Sequence, residues 1–237
     1  MKRIVTIVAA GLCACVVQAE PFWISYDAAC GQFPEEVGWT RHTHEGGAVR
    51  SLADGVLTLD STASSMICDY YEMDHAITPE PGETFVAEWR VCVSQQSGFW
   101  EALTCLRADD GGVVLFGYTQ DHMRSWYETW SVPFDPTVFH TYRVESGDMY
   151  NYSLWIDDAH VHDGVFDRPG PPIPWVLFGD VSYGTTPCVS LTEWNYFGFG
   201  VVPEPSSLML ALALLAGACV ARRRARQVGV FKGDGLC

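Results

Sequence analysis

The chain has 237 residues, with 29 acidic side chains against 14 lysines and arginines and a formal charge of −15 at pH 7. A surface of that sign repels polyanions, which argues against nucleic acid or anionic lipid as partners. The apolar share of 48 % is too high for a disordered polymer, and the length suffices for one full core.

The elements follow in chain order. Lys2 and Arg3 precede a nearly unbroken apolar run from Ile4 to Val17, and Val17-Gln18-Ala19 supplies the residues a signal peptidase reads. The run is shorter than the ~20 residues that cross a bilayer, so residues 1–19 read as a secretory signal peptide and the mature chain begins near Glu20. Between there and Val201 only seven arginines and no lysine oppose the acidic residues.

That middle, residues 20–201, reads as strands separated by turns and as a single domain. "AVRSL" and "GVLTLD" flank the turn Ala53-Asp54-Gly55. "ETFVAEWRVCV" places Phe85, Ala87, Trp89, Val91 and Val93 on one face and Glu88 and Arg90 on the other, the period of a half-buried strand. A hairpin at Ser94-Gln95-Gln96-Ser97 would lead into "GFWEALTCLRA", and "DDGG" at Asp109 to Gly112 into "VVLFGY". "FHTYRVES", "YNYSLWI", "HVHDGVF", "WVLFG" and "YFGFGV" continue the pattern, with Gly147-Asp148 and Asp157-Asp158 at turns. No helix of ordinary length is expected between Phe22 and Val201.

Many short strands at this spacing predict an all-β, two-sheet antiparallel sandwich. Cys30, Cys68, Cys92, Cys105 and Cys188 fall in the exported part, where disulfides are permitted, and five cannot all pair within one chain. A Cys92–Cys105 bridge is excluded by the hairpin, which would set them about 20 Å apart.

Several residues suggest chemistry. Trp126 and Trp130 in "RSWYETW" would share one strand face and offer two rings to a sugar, with Tyr127 turned away. His42 with His44, and His160 with His162, would each present two imidazoles on one face, although nothing brings the pairs together. Asp109-Asp110 and Asp157-Asp158 are the acidic turns where calcium would sit; as plain turn formers they need no ion, and no other cofactor is implied. There is no Gly-x-Ser-x-Gly elbow, phosphate loop or Cys-x-x-Cys.

The end of the chain is the most specific part. Pro203-Glu204-Pro205 stands before an apolar stretch, residues 206–221, and Arg222, Arg223, Arg224 and Arg226 follow at once. Prolines break structure ahead of the stretch, leucine and alanine build a helix, and the arginines hold its far end in the cytoplasm. This tail, residues 202–226, resembles the PEP-CTERM sorting signal of Gram-negative bacteria. The resemblance implies a helix transiently anchored in the inner membrane, an exosortase partner that processes the chain near the motif, and delivery to the envelope or surrounding exopolysaccharide. Residues 227–237 run on past the usual end as a short cytoplasmic tail.

A second resemblance covers nearly all of Tyr26 to Gly200. "YDAACGQFPEEVGW", "GGAVRSLADGVLTLD", "ETFVAEWRV", "FHTYRVES", "YSLWIDD" and "YFGFG", in that order, resemble the laminin-G-like, concanavalin A-like jelly rolls of secreted bacterial proteins. The laminarinase-like branch of that fold uses Glu-x-Asp-x-Glu or Glu-x-Asp-x-x-Glu on one strand. "YEMDHAITPE" begins correctly with Glu72 and Asp74 but has no second glutamate in register, and Glu80 comes too late. The reading is therefore a non-catalytic surface protein that binds or organises polysaccharide. The alternatives are a purely structural envelope protein and a glycoside hydrolase with relocated carboxylates.

Overall fold

The structure, a computed structural model, describes residues 22–44, 46–63, 67–75, 77–96, 102–119, 121–125, 130–166, 175–180 and 189–203. In these stretches fifteen strands follow one another: β1 (Phe22–Asp27), β2 (Thr40–His44), β3 (Val49–Ala53), β4 (Val56–Asp60), β5 (Cys68–Met73), β6 (Glu83–Gln96), β7 (Ala102–Arg107), β8 (Val113–Tyr118), β9 (His122–Ser125), β10 (Ser131–Pro133), β11 (His140–Ser146), β12 (Asn151–Ile156), β13 (Ala159–Val165), β14 (Trp175–Asp180) and β15 (Ser190–Pro203). The only described helices are two 3-10 turns, Ala28–Cys30 and Pro34–Val37. Among the described residues no helix is long and apolar enough to cross a membrane.

The strands form two antiparallel sheets in a jelly-roll sandwich. The first runs β13-β12-β11-β6-β15-β4-β3, with β1 also paired to β15; the second runs β10-β9-β8-β7-β14-β5-β2. β4 takes the first part of β15, Leu191 to Trp194, and β1 takes the later part, Tyr196 to Val201, so the two lie end to end along one side of it.

Alternation places the core as the sequence implies. Phe85, Ala87, Trp89, Val91 and Val93 of β6 are all buried. Trp89 is stacked between Tyr142 and Phe197 at 5.7 Å from each, and Phe178 of the second sheet stacks on Phe197 at 4.9 Å. Such offset aromatic contacts add to the burial of large apolar surfaces that holds two sheets together.

Three hairpins close on the expected turns. Asp54 and Gly55, and Asp157 and Asp158, all have positive φ, as a two-residue turn between twisted strands requires. In the third, Asp148 accepts the amides of Tyr150 and Asn151.

The hairpin expected at Ser94 to Ser97 does not form. β6 continues through Gln96 and β7 lies in the opposite sheet, so the chain crosses the sandwich there instead of turning back. Cys30, Cys68, Cys92 and Cys105 are all free thiols, and Cys188 lies outside the described residues. The exclusion of a Cys92–Cys105 bridge therefore stands on a different geometry from the one first argued.

Candidate functional site

The outer face of the second sheet gathers the side chains with chemistry. On β5, Asp69 and Tyr71 point inward and are fully buried, which turns Tyr70 and Glu72 outward. Register then aligns rows across the sheet. One row reads Thr40, Glu72, Leu177, Cys105, Leu115; the next reads His42, Tyr70, Gly179, Leu103, Gly117, Arg124. The middle of this face is apolar: Leu103, Cys105, Val113 and Leu177 form their own buried cluster, with Tyr70, Leu115 and Trp175 packed around it.

Beside the cluster lies a polar flank. The His42 ring stacks on Tyr70 at 4.8 Å, and its Nε2 stands 3.7 Å from Glu72 Oε2, beyond hydrogen-bond reach. That Nε2 is buried without a hydrogen-bond partner. Burial first, then the like charge and hydrogen bond of Asp74, push the Glu72 carboxyl above its ordinary value, while His42 and Arg107 pull it back. The Arg107 guanidinium lies over the Trp175 ring at 4.4 Å, and its Nε has no hydrogen-bond partner. The flank thus offers two flat rings, a carboxyl pair, an imidazole and a guanidinium with bonding capacity to spare. That inventory suits a ring of apolar faces and hydroxyl edges.

A buried ion pair stiffens this flank from the inside. Arg41 Nε donates to Asp69 Oδ1 at 2.9 Å, and the Ala48 amide donates to Asp69 Oδ2 at 3.0 Å. Gly47, at φ +76°, leaves room for it: a Cβ there would lie 2.7 Å from Arg41 Nη2 and 2.9 Å from Asp69 Oδ2. Because Arg41 and His42 are neighbours on β2, fixing one inside the sandwich fixes the other on its outer face.

The residues singled out in the sequence are distributed differently. Trp126 lies outside the described residues. Trp130 packs at the edge of the core, 6.3 Å from Phe116 and 4.4 Å from His162 between ring centres, and does not stand free on the sheet's outer face. His160 and His162 do not share a face. A bulge between Leu154 and Trp155 shifts the register, so His160 goes outward with Trp155 while His162 goes inward to Tyr152. His42 faces Tyr70 and Glu72 as described, and His44 is set opposite Cys68. Asp110 accepts the Gly112 amide, and Asp157 accepts from the Thr141 amide and contacts His140 Nδ1 at 2.6 Å. Pro203 ends β15, and Glu204, Pro205, Arg222, Arg223, Arg224 and Arg226 lie outside the described residues.

Sequence reading missed Trp175, Arg107 and the approach of His42 to Glu72. Their adjacency is set by strand order, which brings β2, β5, β14 and β7 side by side from distant parts of the chain. The Glu72-Met73-Asp74 spacing and the His42-Thr43-His44 pair were the local traces of the flank.

Comparison with known proteins bears on both ends of this description. Residues 201–225 match the family model of the PEP-CTERM protein-sorting motif. The chain carries a PEP-CTERM sorting signal. No curated relative matches the chain. Among solved structures, a carbohydrate esterase from the Shiga toxin-encoding bacteriophage phi24B superposes with a TM-score of 0.56 at 12 % identity, over 76 % of this chain and 97 % of its own. An endo-1,3-β-glucanase from Streptomyces sioyaensis gives 0.54 at 15 % identity, over 77 % and 95 %. A laminarinase from Flavobacterium sp. UMI-01 gives 0.54 at 9 %, over 75 % and 98 %. At these identities the likeness establishes the jelly-roll fold.

The expectation of a chain without catalysis is corrected to this extent: the jelly roll it shares is one that glucanases and a carbohydrate esterase also have, so the fold gives no ground for excluding an enzyme. The sequence argument weighed only residues on the strand of Glu72 itself, whereas in the folded chain the neighbouring strand β2 brings the His42 imidazole to 3.7 Å from Glu72.

Proposed function

We propose that the PEP-CTERM-sorted chain is a surface carbohydrate protein whose sugar site is the polar flank of the second sheet: His42, Tyr70, Glu72, Asp74, Arg107 and Trp175. The observation that carries this reading is the placement of a half-buried carboxyl beside an imidazole and an arginine-backed indole on an outer sheet face. Trp175 would present its ring to a sugar face, Arg107 and His42 would meet hydroxyl or ring oxygens, and Glu72 with Asp74 would accept hydroxyl protons. Export through the signal peptide of residues 1–19, transient anchoring by residues 206–221 and exosortase processing near Pro203-Glu204-Pro205 would then set the protein among the polysaccharides of the envelope.

Hydrolysis is a second reading, favoured by one observation. Burial raises the Glu72 carboxyl above its ordinary value, which is the direction a general acid needs, and the His42 imidazole stands 3.7 Å away. Titration of the whole chain with β-1,3-glucan, followed by an assay for released reducing sugar, separates the two. Binding with no release, and with Glu72→Gln binding as well as the wild type, supports recognition alone. Release that Glu72→Gln lowers by about a hundredfold or more makes Glu72 catalytic. Absence of binding to β-1,3-glucan and to every other envelope glycan tried removes the carbohydrate reading.

A further inference from the structure

The last strand runs into the sorting motif with no spacer. Val201, Val202 and Pro203 are paired to Phe85, Thr84 and Glu83 of β6, and Val201 also to Phe22 of β1. The described chain therefore enters the sandwich at Phe22 and leaves it at Pro203 at one and the same end. From Pro203 to Ser206, where the apolar stretch begins, the chain reaches at most about 10 Å. The strand is held on both sides as far as Val201 and by β6 through Pro203, so it cannot give up slack without breaking its ladder.

The same end carries exposed apolar side chains. Ser146 is level with Phe85 and hence with Val201, so the β11–β12 turn that follows it lies level with Val202 and Pro203. Tyr150 in that turn is 49 % exposed, and Val165, opposite Asn151 at the end of β13, is 43 % exposed. The β11–β12 turn is only about 10 Å from β15, two strand spacings across β6.

We infer that this end of the sandwich, with Tyr150 and Val165 foremost, rests on the lipid surface while residues 206–221 are inserted. The inference builds on the sorting role proposed above. Bilayer headgroup layers are about 5–8 Å deep, so even a fully extended tether of about 10 Å keeps this end of the domain within about 5 Å of them. Tyrosine suits that depth, with an apolar ring and a hydroxyl that stays hydrated. The contact is apolar and polar, not ionic, since Glu83 and Asp148 lie at the same end and would be repelled by anionic lipid.

The test uses the full chain reconstituted into vesicles of phosphatidylcholine and phosphatidylethanolamine. An environment-sensitive fluorescent amino acid replaces Tyr150, Val165, Val138 or Leu212 in turn; lipids carrying a quencher near the headgroup report contact at 150, 165 and 138, and lipids brominated along the acyl chain report insertion at 212. Val138 is the distant control: the nearby Pro136 carbonyl accepts from Val93, about 30 Å up β6 from Thr84. The expected result is quenching at 150 and 165 by the headgroup quencher and at 212 by the brominated lipids, with none at 138. A flexible spacer of about ten Gly/Ser residues after Pro203, spanning about 17 Å, should abolish the signal at 150 and 165 and keep it at 212. Quenching at 212 without quenching at 150 and 165 overturns the docked end and leaves the sorting reading intact. No quenching at 212 overturns both, because the tail would then not enter the bilayer.

Discussion

Asp69 and Glu72 sit three residues apart on β5, and that odd spacing sends one into the sandwich and the other out to the flank. Asp69 is wholly buried and paired with Arg41. Replacing it with alanine strands the guanidinium and the Ala48 amide, and should cost about 3 kcal/mol, read as a lower denaturant midpoint. Glu72 behaves oppositely. Its carboxyl is raised in the folded chain, so the native state holds the proton more tightly than the unfolded one does. The stability this gives is complete below the ordinary glutamate range and is lost as pH rises through the raised value. Glu72→Gln, which cannot ionise, should flatten that part of the stability–pH curve. An unchanged curve would show that Glu72 is not desolvated in the folded chain.

At the scale of elements, what the sequence made legible was whatever is local. Alternation gave the buried face of β6, and the Ala53-Asp54-Gly55 and Asp157-Asp158 turns appear where the turn residues stand. The bulge in β13 was not legible, since its shift of register reflects pairing with β12 and no residue in "HVHDGVF" announces it. Nor was the crossing from β6 to β7, because a polar run between two strands looks the same whether it turns a hairpin or spans two sheets. Two substitutions test these elements. Gly179, at φ +132°, would place a Cβ 2.7 Å from the Asp69 carbonyl oxygen, so Gly179→Ala must shift β14 against β5. A loss of about 1–3 kcal/mol in chemical unfolding is expected, with weaker glycan binding in the same variant. Asp158 holds φ +64° in a turn that favours glycine at its second position. Asp158→Gly should therefore raise stability by about 0.5–1 kcal/mol, seen as a melting temperature a few degrees higher.

For the molecule as a whole, destination was more legible than activity. A motif, an apolar stretch and a basic cluster in fixed order carry the sorting signal in the bare sequence, and residues 201–225 match that family. The proposed sugar site has no such phrase. Its parts come from β2, β5, β7 and β14, and only the closing of the second sheet makes them neighbours. The structure also joins the two halves of the account, since β15 serves the core through Trp194, Phe197 and Phe199 and then becomes the first residue of the sorting motif. Deleting Pro203-Glu204-Pro205 should leave the chain in the inner membrane, which fractionation of the producing cells reads directly.

The most direct measurement is a glycan array probed with the whole chain, with Trp175→Ala and with Trp23→Ala, the latter removing an exposed indole of the first sheet. The account predicts that the wild type and Trp23→Ala bind the same glycans alike, while Trp175→Ala binds at least about tenfold more weakly, as loss of one stacking ring implies. Equal binding by all three proteins would place the sugar site elsewhere and contradict the account.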